Sequence, residues 1–201
     1  MAISDVIIGN MALSFVGAKR SIVTALTDDN AGAEAVNLWY EYARLSTLEA
    51  YNWSFARKRL TLAAHADAAP DEWAYRYTYP SGIVAVRKIW NPLGEDADAV
   101  PYDIELIAAG TAKCILTNME DAIAICTADI ATASLFSPTF VLAFARKIAE
   151  HIAPTLTNKD SGIQNAQTQH FNLLIRQAAD LDAQQMVKGP PRDADWIRGR
   201  K

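Results

Sequence analysis

The stretch that most constrains the fold is residues 36–62, VNLWYEYARLSTLEAYNWSFARKRLTL. Apolar side chains at Ala31, Ala35, Leu38, Tyr42, Leu45 and Leu48 step by three or four, which predicts one apolar stripe along a helix. Trp39, Tyr51, Trp53 and Phe55 crowd the point where that helix should end. Trp53 and Phe55 read as an aromatic plug in the core, because such rings contribute heavily to burial. Arg57, Lys58 and Arg59 follow at once, so a large apolar anchor sits beside three charges. Those three are a candidate docking surface.

A chain of 201 residues, 51% hydrophobic and 21% charged, can bury a real core as one domain or as a domain with an inserted module. The net charge of −4 argues against general affinity for nucleic acid, where phosphate neutralisation dominates. The charge is unevenly spread. Residues 188–201 hold Lys188, Arg192, Arg198, Arg200 and Lys201 against Asp193 and Asp195, a net +3 on a body of −7. A basic tail on an acidic body suggests a segment meant for a partner. Cys114 and Cys126 make no disulfide framework; a bridge between neighbouring strands is conceivable, and two small buried side chains are the expectation. Asp5 and the lack of a positive charge before Lys19 exclude a signal peptide, and the uncharged run 130–145 is too short and polar for a membrane span. The protein is therefore expected to be made in the cytoplasm.

Along the chain, Ser4 and Asp5 suit a helix start, Ile7, Ile8, Met11 and Phe15 continue its stripe, and Gly17 suits its end. Residues 19–27 read as a connection, and Asp28, Asp29 and Asn30 start a second helix that runs to about Ala50. A short helix or irregular segment is expected over residues 52–62, then an alanine-rich linker over 63–71. Trp73, Tyr75, Tyr77 and Tyr79 alternate with smaller or polar residues, as a half-buried strand does. Further strands are expected at 83–90, around Val100–Leu106, and at 114–117 and 122–127, the last two as a hairpin around 118–121. Ser137 and Pro138 cap a third helix with Phe140, Val141, Phe144, Ile148 and Ile152 on its stripe, ended by Pro154 and residues 158–160. A final helix over 161–187 places Ile163, Ala166, His170, Leu174, Ala178 and Leu181 on one face, and no packed structure is expected after Gly189-Pro190-Pro191.

These elements predict an α+β fold: an antiparallel helical bundle from the N- and C-terminal helices (residues 1–72 and 129–188), with a small antiparallel β module (73–128) inserted and an extended tail at 189–201. No catalytic signature is present: no phosphate loop, no nucleophile elbow, no C-x-x-C or H-E-x-x-H. His65, His151 and His170 are scattered, and the carboxylates at 28–29 and 95–98 sit in turn-like stretches. No catalytic, cofactor or metal residues are assigned, and an enzyme is not expected.

The same residues carry a resemblance. ALSFVGAKRSIVTALTDDNAGAEAV (12–36), Arg44 with Leu48, and YNWSFARKRLTLA (51–63) resemble the opening of the podovirus tail tubular protein A family, the head-to-tail adaptors of short-tailed phages. YRYTYPSGIVAVRKIW (75–90) is similar to that family's Y-x-Y-x-x-P-x-D-x-L-R-V, and SLFSPTFVLAFARKIAEHIAPTLT (134–157) to its F-x-P-x-F-x-x-A-L-A-x-x-L-A helix. The likeness runs in order over about residues 3–188. Gly82 stands where the family has Asp, and Asn52-Trp53-Ser54-Phe55 departs from W-N-F in order and by its serine. The resemblance implies a virion protein without catalysis or cofactor, assembled as a dodecameric ring between the portal protein and the tail nozzle protein. DNA would pass through its channel without specific binding.

Two interface expectations follow. In the tail, Trp196 and Ile197 form an apolar pair among Arg192, Arg198, Arg200 and Lys201, residue types enriched at hot spots, and they are expected to order against portal or a neighbouring subunit. The isolated chain is expected to be largely monomeric or heterogeneous, because both helix pairs should bury their stripes and leave none over. The competing reading is a non-viral interaction or scaffolding module that binds a partner through the basic tail.

Overall fold

Helix ends come first in building the fold, because short polar residues occupy them where orphan backbone N–H groups need acceptors. The computed structural model describes residues 3–18, 23–92, 99–107, 110–157 and 161–185. Helix α1 spans Asp5–Phe15 with Ser4 as N-cap, its side chain accepting from the Ile7 amide. Gly17 follows at φ 76°, a left-handed conformation that closes α1 and is unstrained only for glycine. Helix α2 spans Ala31–Ala50, capped by Asn30, and α3 spans Pro138–Leu156, capped by Ser137 with Pro138 in the first turn. Pro154 lies inside the last turns of α3 and does not stop it; the C-cap is Thr157. Helix α4 spans Ser161–Gln185, so the expected last two residues, 186 and 187, lie outside the described ones.

The described residues also form six strands: β1 Arg57–Thr61, β2 Tyr75–Thr78, β3 Ile83–Ile89, β4 Tyr102–Leu106, β5 Lys113–Thr117 and β6 Ile123–Ala128. Two three-stranded antiparallel sheets result, ordered β1-β6-β3 and β2-β5-β4. The fold is thus α+β. Two expectations are corrected here. Residues 52–62 are not helical beyond the 3-10 turn Ser54–Ala56, since β1 takes 57–61 and pairs with β6. Nor do 114–117 and 122–127 form a hairpin. Their strands, β5 and β6, are the central strands of different sheets, and each finds its neighbours on both sides elsewhere.

The link between β5 and β6 is an arch pinned by Tyr77, whose hydroxyl donates to the Met119 carbonyl and accepts from the Ala122 amide. Asn118 accepts from the Ala74 amide beside it. Bridges Ala64↔Tyr77 and Ile89↔Val100 stitch the sheets at both edges, so six strands enclose one small core of Leu62, Tyr77, Val86, Ile89, Ile115, Ala124 and Cys126. Cys114 and Cys126 are buried, free and in different sheets, and burial pushes the Cys126 thiol up to about 11.

The larger core lies among the helices. α3 contacts α1, α2 and α4, and its expected stripe of Phe140, Val141, Phe144, Ile148 and Ile152 is buried throughout. Trp53 and Phe55 close this core as the aromatic plug: Trp53 is 3% exposed, meets Phe140 edge-on at 5.1 Å, and donates from its indole N–H to the Thr47 carbonyl. Gly9 lets α1 approach closely, since a Cβ there would stand 3.1 Å from both Leu26 and Val36. On α4 the inward residues are Gln167, Phe171 and Ala178, whereas His170 and Leu181 are exposed, a shift from the expected face. Gln167 sets it, accepting from Arg146 and donating to the Phe15 carbonyl.

Candidate interaction surface

Helix α2 departs in part from the face expected of it: Leu48 is buried and Ala35 and Leu45 half-buried, but Leu38 and Tyr42 are not. Its buried residues are Gly32, Ala33, Val36, Ala43, Arg44, Thr47 and Leu48. Leu38 is 72% exposed and Tyr42 56% exposed, although both belong to the stripe expected in the core. At about 100° per residue, Leu38 and Tyr42 lie roughly opposite Ala33, Tyr40 and Thr47. Two contacts with other elements fix this rotation, and a third hydrogen bond lies within the helix. The Arg44 guanidinium turns inward to bind the Asp129 carboxylate and the Ile130 carbonyl, with Glu41 beside it. Thr47 returns its hydroxyl to the Ala43 carbonyl in a buried position. Tyr40 packs edge-on against Phe144 and donates to Asp5. Burial disfavours the Arg44 charge, but its hydrogen bonds to Glu41 and Asp129 outweigh that and hold it above its usual range. Small residues inside let α2 approach its neighbours closely. Val36 and Leu48 are buried with them, while Leu38 and Tyr42 are left outside.

The outer face is an aromatic group rather than a scatter of apolar atoms. Trp39 stacks on His151 of α3 with centroids 4.6 Å apart and planes at 14°. Tyr42 stands edge-on to both, 5.9 Å from Trp39 and 5.3 Å from His151. Burial, then the nearby Lys147, push the His151 pKa below its ordinary value, against a smaller opposite pull from Glu150. Its Nε2 is buried with no hydrogen-bond partner among the described residues. The charges exposed along α2 are Glu34, Glu41 and Glu49. Leu38 and Tyr42 are thus left over on the outer side of α2, short of a long stripe.

The basic triple does not form one surface. Strand alternation splits it: Lys58 opposes Cys126 and shares a face with Leu60, while Arg57 and Arg59 oppose Thr127 and Ile125 on the other face. Lys58 and Arg59 are exposed and Arg57 half-buried. Arg59 lines an open cavity of about 210 Å³ with Thr61, Trp90 and Ile123. A basic residue that sequence reasoning missed matters more for the fold. Arg87 of β3 donates to the Leu48, Glu49 and Tyr51 carbonyls and to the Thr127 hydroxyl. It satisfies the orphan carbonyls at the end of α2 and ties the sheet to the helices. Its signal was a half-buried arginine position in a mostly apolar strand, next to the exposed Lys88.

Trp196, Ile197, Arg192, Arg198, Arg200 and Lys201 lie outside the described residues, as do the carboxylates at 95–98. Among the described residues no group of three or more His, Cys, Asp or Glu side chains could hold a metal ion, and no helix is long and apolar enough to cross a membrane. The described surface offers docking chemistry: an aromatic, acid-flanked helix face, with Lys58 and Arg59 exposed on opposite faces of β1. No protein-family model matches the sequence, and no curated protein is significantly similar to it.

Proposed function

We propose that this chain is a structural protein of a phage virion, a head-to-tail adaptor that assembles as a ring between the portal and the tail nozzle and lines the DNA passage. The reading begins from the ordered resemblance over about residues 3–188. The observation that carries it is the outer face of α2, where Leu38 and Tyr42 are exposed beside Trp39 and His151. A protein that works alone seldom leaves large aromatic and aliphatic side chains grouped on a helix exterior. A subunit of an assembly covers them. In a ring each subunit offers two different patches, which a heterologous contact joins; the acidic aromatic face of α2 is one such patch. The arrangement proposed for the subunit is an antiparallel helical bundle with the β module as its insertion. Its site of action is the head–tail junction of the virion, reached after synthesis in the host cytoplasm. The reading includes no catalysis, and the acidic body would let DNA pass without gripping it.

Purified portal rings from a short-tailed phage provide the test. Sedimentation and electron microscopy of the mixture should show this protein added to the portal as a closed ring. A chain that stays unbound at micromolar concentration would count against the adaptor reading. It would favour the second reading, a non-viral interaction or scaffolding module, which relies on the basic tail and needs no ring.

A further inference from the structure

The outer face of α2 needs an occupant, and the chain carries a segment of matching chemistry. We infer that the C-terminal segment, residues 186–201, docks on this face, with Trp196 and Ile197 packed over Leu38, Trp39 and Tyr42 and its basic groups beside Glu34, Glu41 and Glu49.

Charge is the first argument. The acidic groups along α2 are Glu34, Glu41 and Glu49, and its one basic residue, Arg44, is turned inward and paired with Glu41 and Asp129. Residues 186–201 carry Lys188, Arg192, Arg198, Arg200 and Lys201 against Asp193 and Asp195. Apolar chemistry is the second. Leu38 and Tyr42 are more than half exposed, and the segment holds the adjacent pair Trp196-Ile197. Exposed ion pairs contribute little, so the aromatic contact is the anchor and the charges set orientation.

Reach is the third. Only residues 157–160 separate α3 from α4 and the two helices pack on each other, so α4 runs back along α3 and its last turns lie towards the start of α3. His151 sits far along α3 from that end. The separation along α3 is under about 30 Å at 1.5 Å per residue, whereas the chain from Gln185 to Trp196 spans up to about 36–40 Å extended. The segment can therefore cover the face of its own subunit, and equally that of a neighbour. The inference does not depend on the adaptor reading, because it concerns two parts of the same chain.

Zero-length carbodiimide cross-linking of the full-length protein, read by mass spectrometry, tests it. Links from Lys188 or Lys201 to Glu34, Glu41 or Glu49 are expected, and a mixture of isotope-labelled and unlabelled chains distinguishes the same subunit from a neighbour. In full-length Trp196→Ala these links should fall at least fivefold. Hydroxyl-radical labelling of Tyr42 should rise at least twofold, with the melting temperature unchanged. Links from Lys58 to the α2 carboxylates instead would overturn the inference in favour of a second copy's folded body. So would Tyr42 labelling that is unaffected by Trp196→Ala, which would mean an open face or one covered by something other than this segment.

Discussion

Helices α2 and α3 are of similar length and pack on one another, yet they relate to the core in opposite ways. α3 buries its large residues, Phe140, Phe144, Ile148 and Ile152, and the stripe read from spacing is the stripe observed. α2 buries mostly small residues, Gly32, Ala33, Ala43 and Thr47, together with Val36, Arg44 and Leu48, and exposes Leu38 and Tyr42. The difference teaches that spacing locates a stripe without saying what covers it. For α3 the cover is the rest of this chain. For α2 part of the stripe, Leu38 and Tyr42, meets no cover among the described residues.

The comparison breaks most visibly by truncation. Phe140→Ala should cost about 3–5 kcal/mol in thermal or denaturant unfolding, the range for a large buried aromatic, since its ring meets Trp53, Phe55, Phe136 and Phe144. A cost of about 1 kcal/mol or less would mean that α3 is not the hub. Enlargement probes α2. Ala43→Leu places extra methylenes on its close-packed inner face, where Ala43 is fully buried. It should destabilise by about 1–3 kcal/mol, whereas a neutral result would put Ala43 outside.

A smaller effect comes from pH at the seam between the two helices. The folded-state pKa of His151 is depressed, so the unfolded chain binds more protons as pH falls through the ordinary histidine range. Stability from this residue is complete above about pH 6.5 and declines as pH falls below it. Melting curves across that window should show the decline, and it should be weaker in His151→Phe. An unchanged slope in the variant would assign it to other groups.

Much of this fold was legible before the structure because it rests on local chemistry. Ser4, Asn30 and Ser137 each accept a hydrogen bond from an amide in the first turn of the helix they start. Trp53 and Phe55 were read as a plug and are one. What was not legible depends on partners distant in the chain. β1 has a mixed burial pattern and becomes a strand by pairing with β6, its partner at Arg57 being Thr127. β5 and β6 read as a hairpin because few residues separate them, but each is buried almost throughout and needs neighbours on both sides. The rotation of α2 follows from Arg44 finding Asp129, a contact that no helical periodicity encodes. For the candidate surface, spacing picked out Leu38 and Tyr42 correctly as a group and put them on the wrong side. The basic triple 57–59 was legible as charge but not as a strand, whose alternation divides it.

The central claim is that Leu38 and Tyr42 of α2 face outward, and Leu38→Asp tests it most directly when melting temperature and sedimentation are measured on the same full-length sample. The account predicts a melting temperature within about 2 °C of the parent, as for a surface change, together with weakened association with portal rings. A buried leucine replaced by a charge would cost several kcal/mol and lower the melting temperature by about 10 °C or more. That result would return Leu38 to the core and contradict the account.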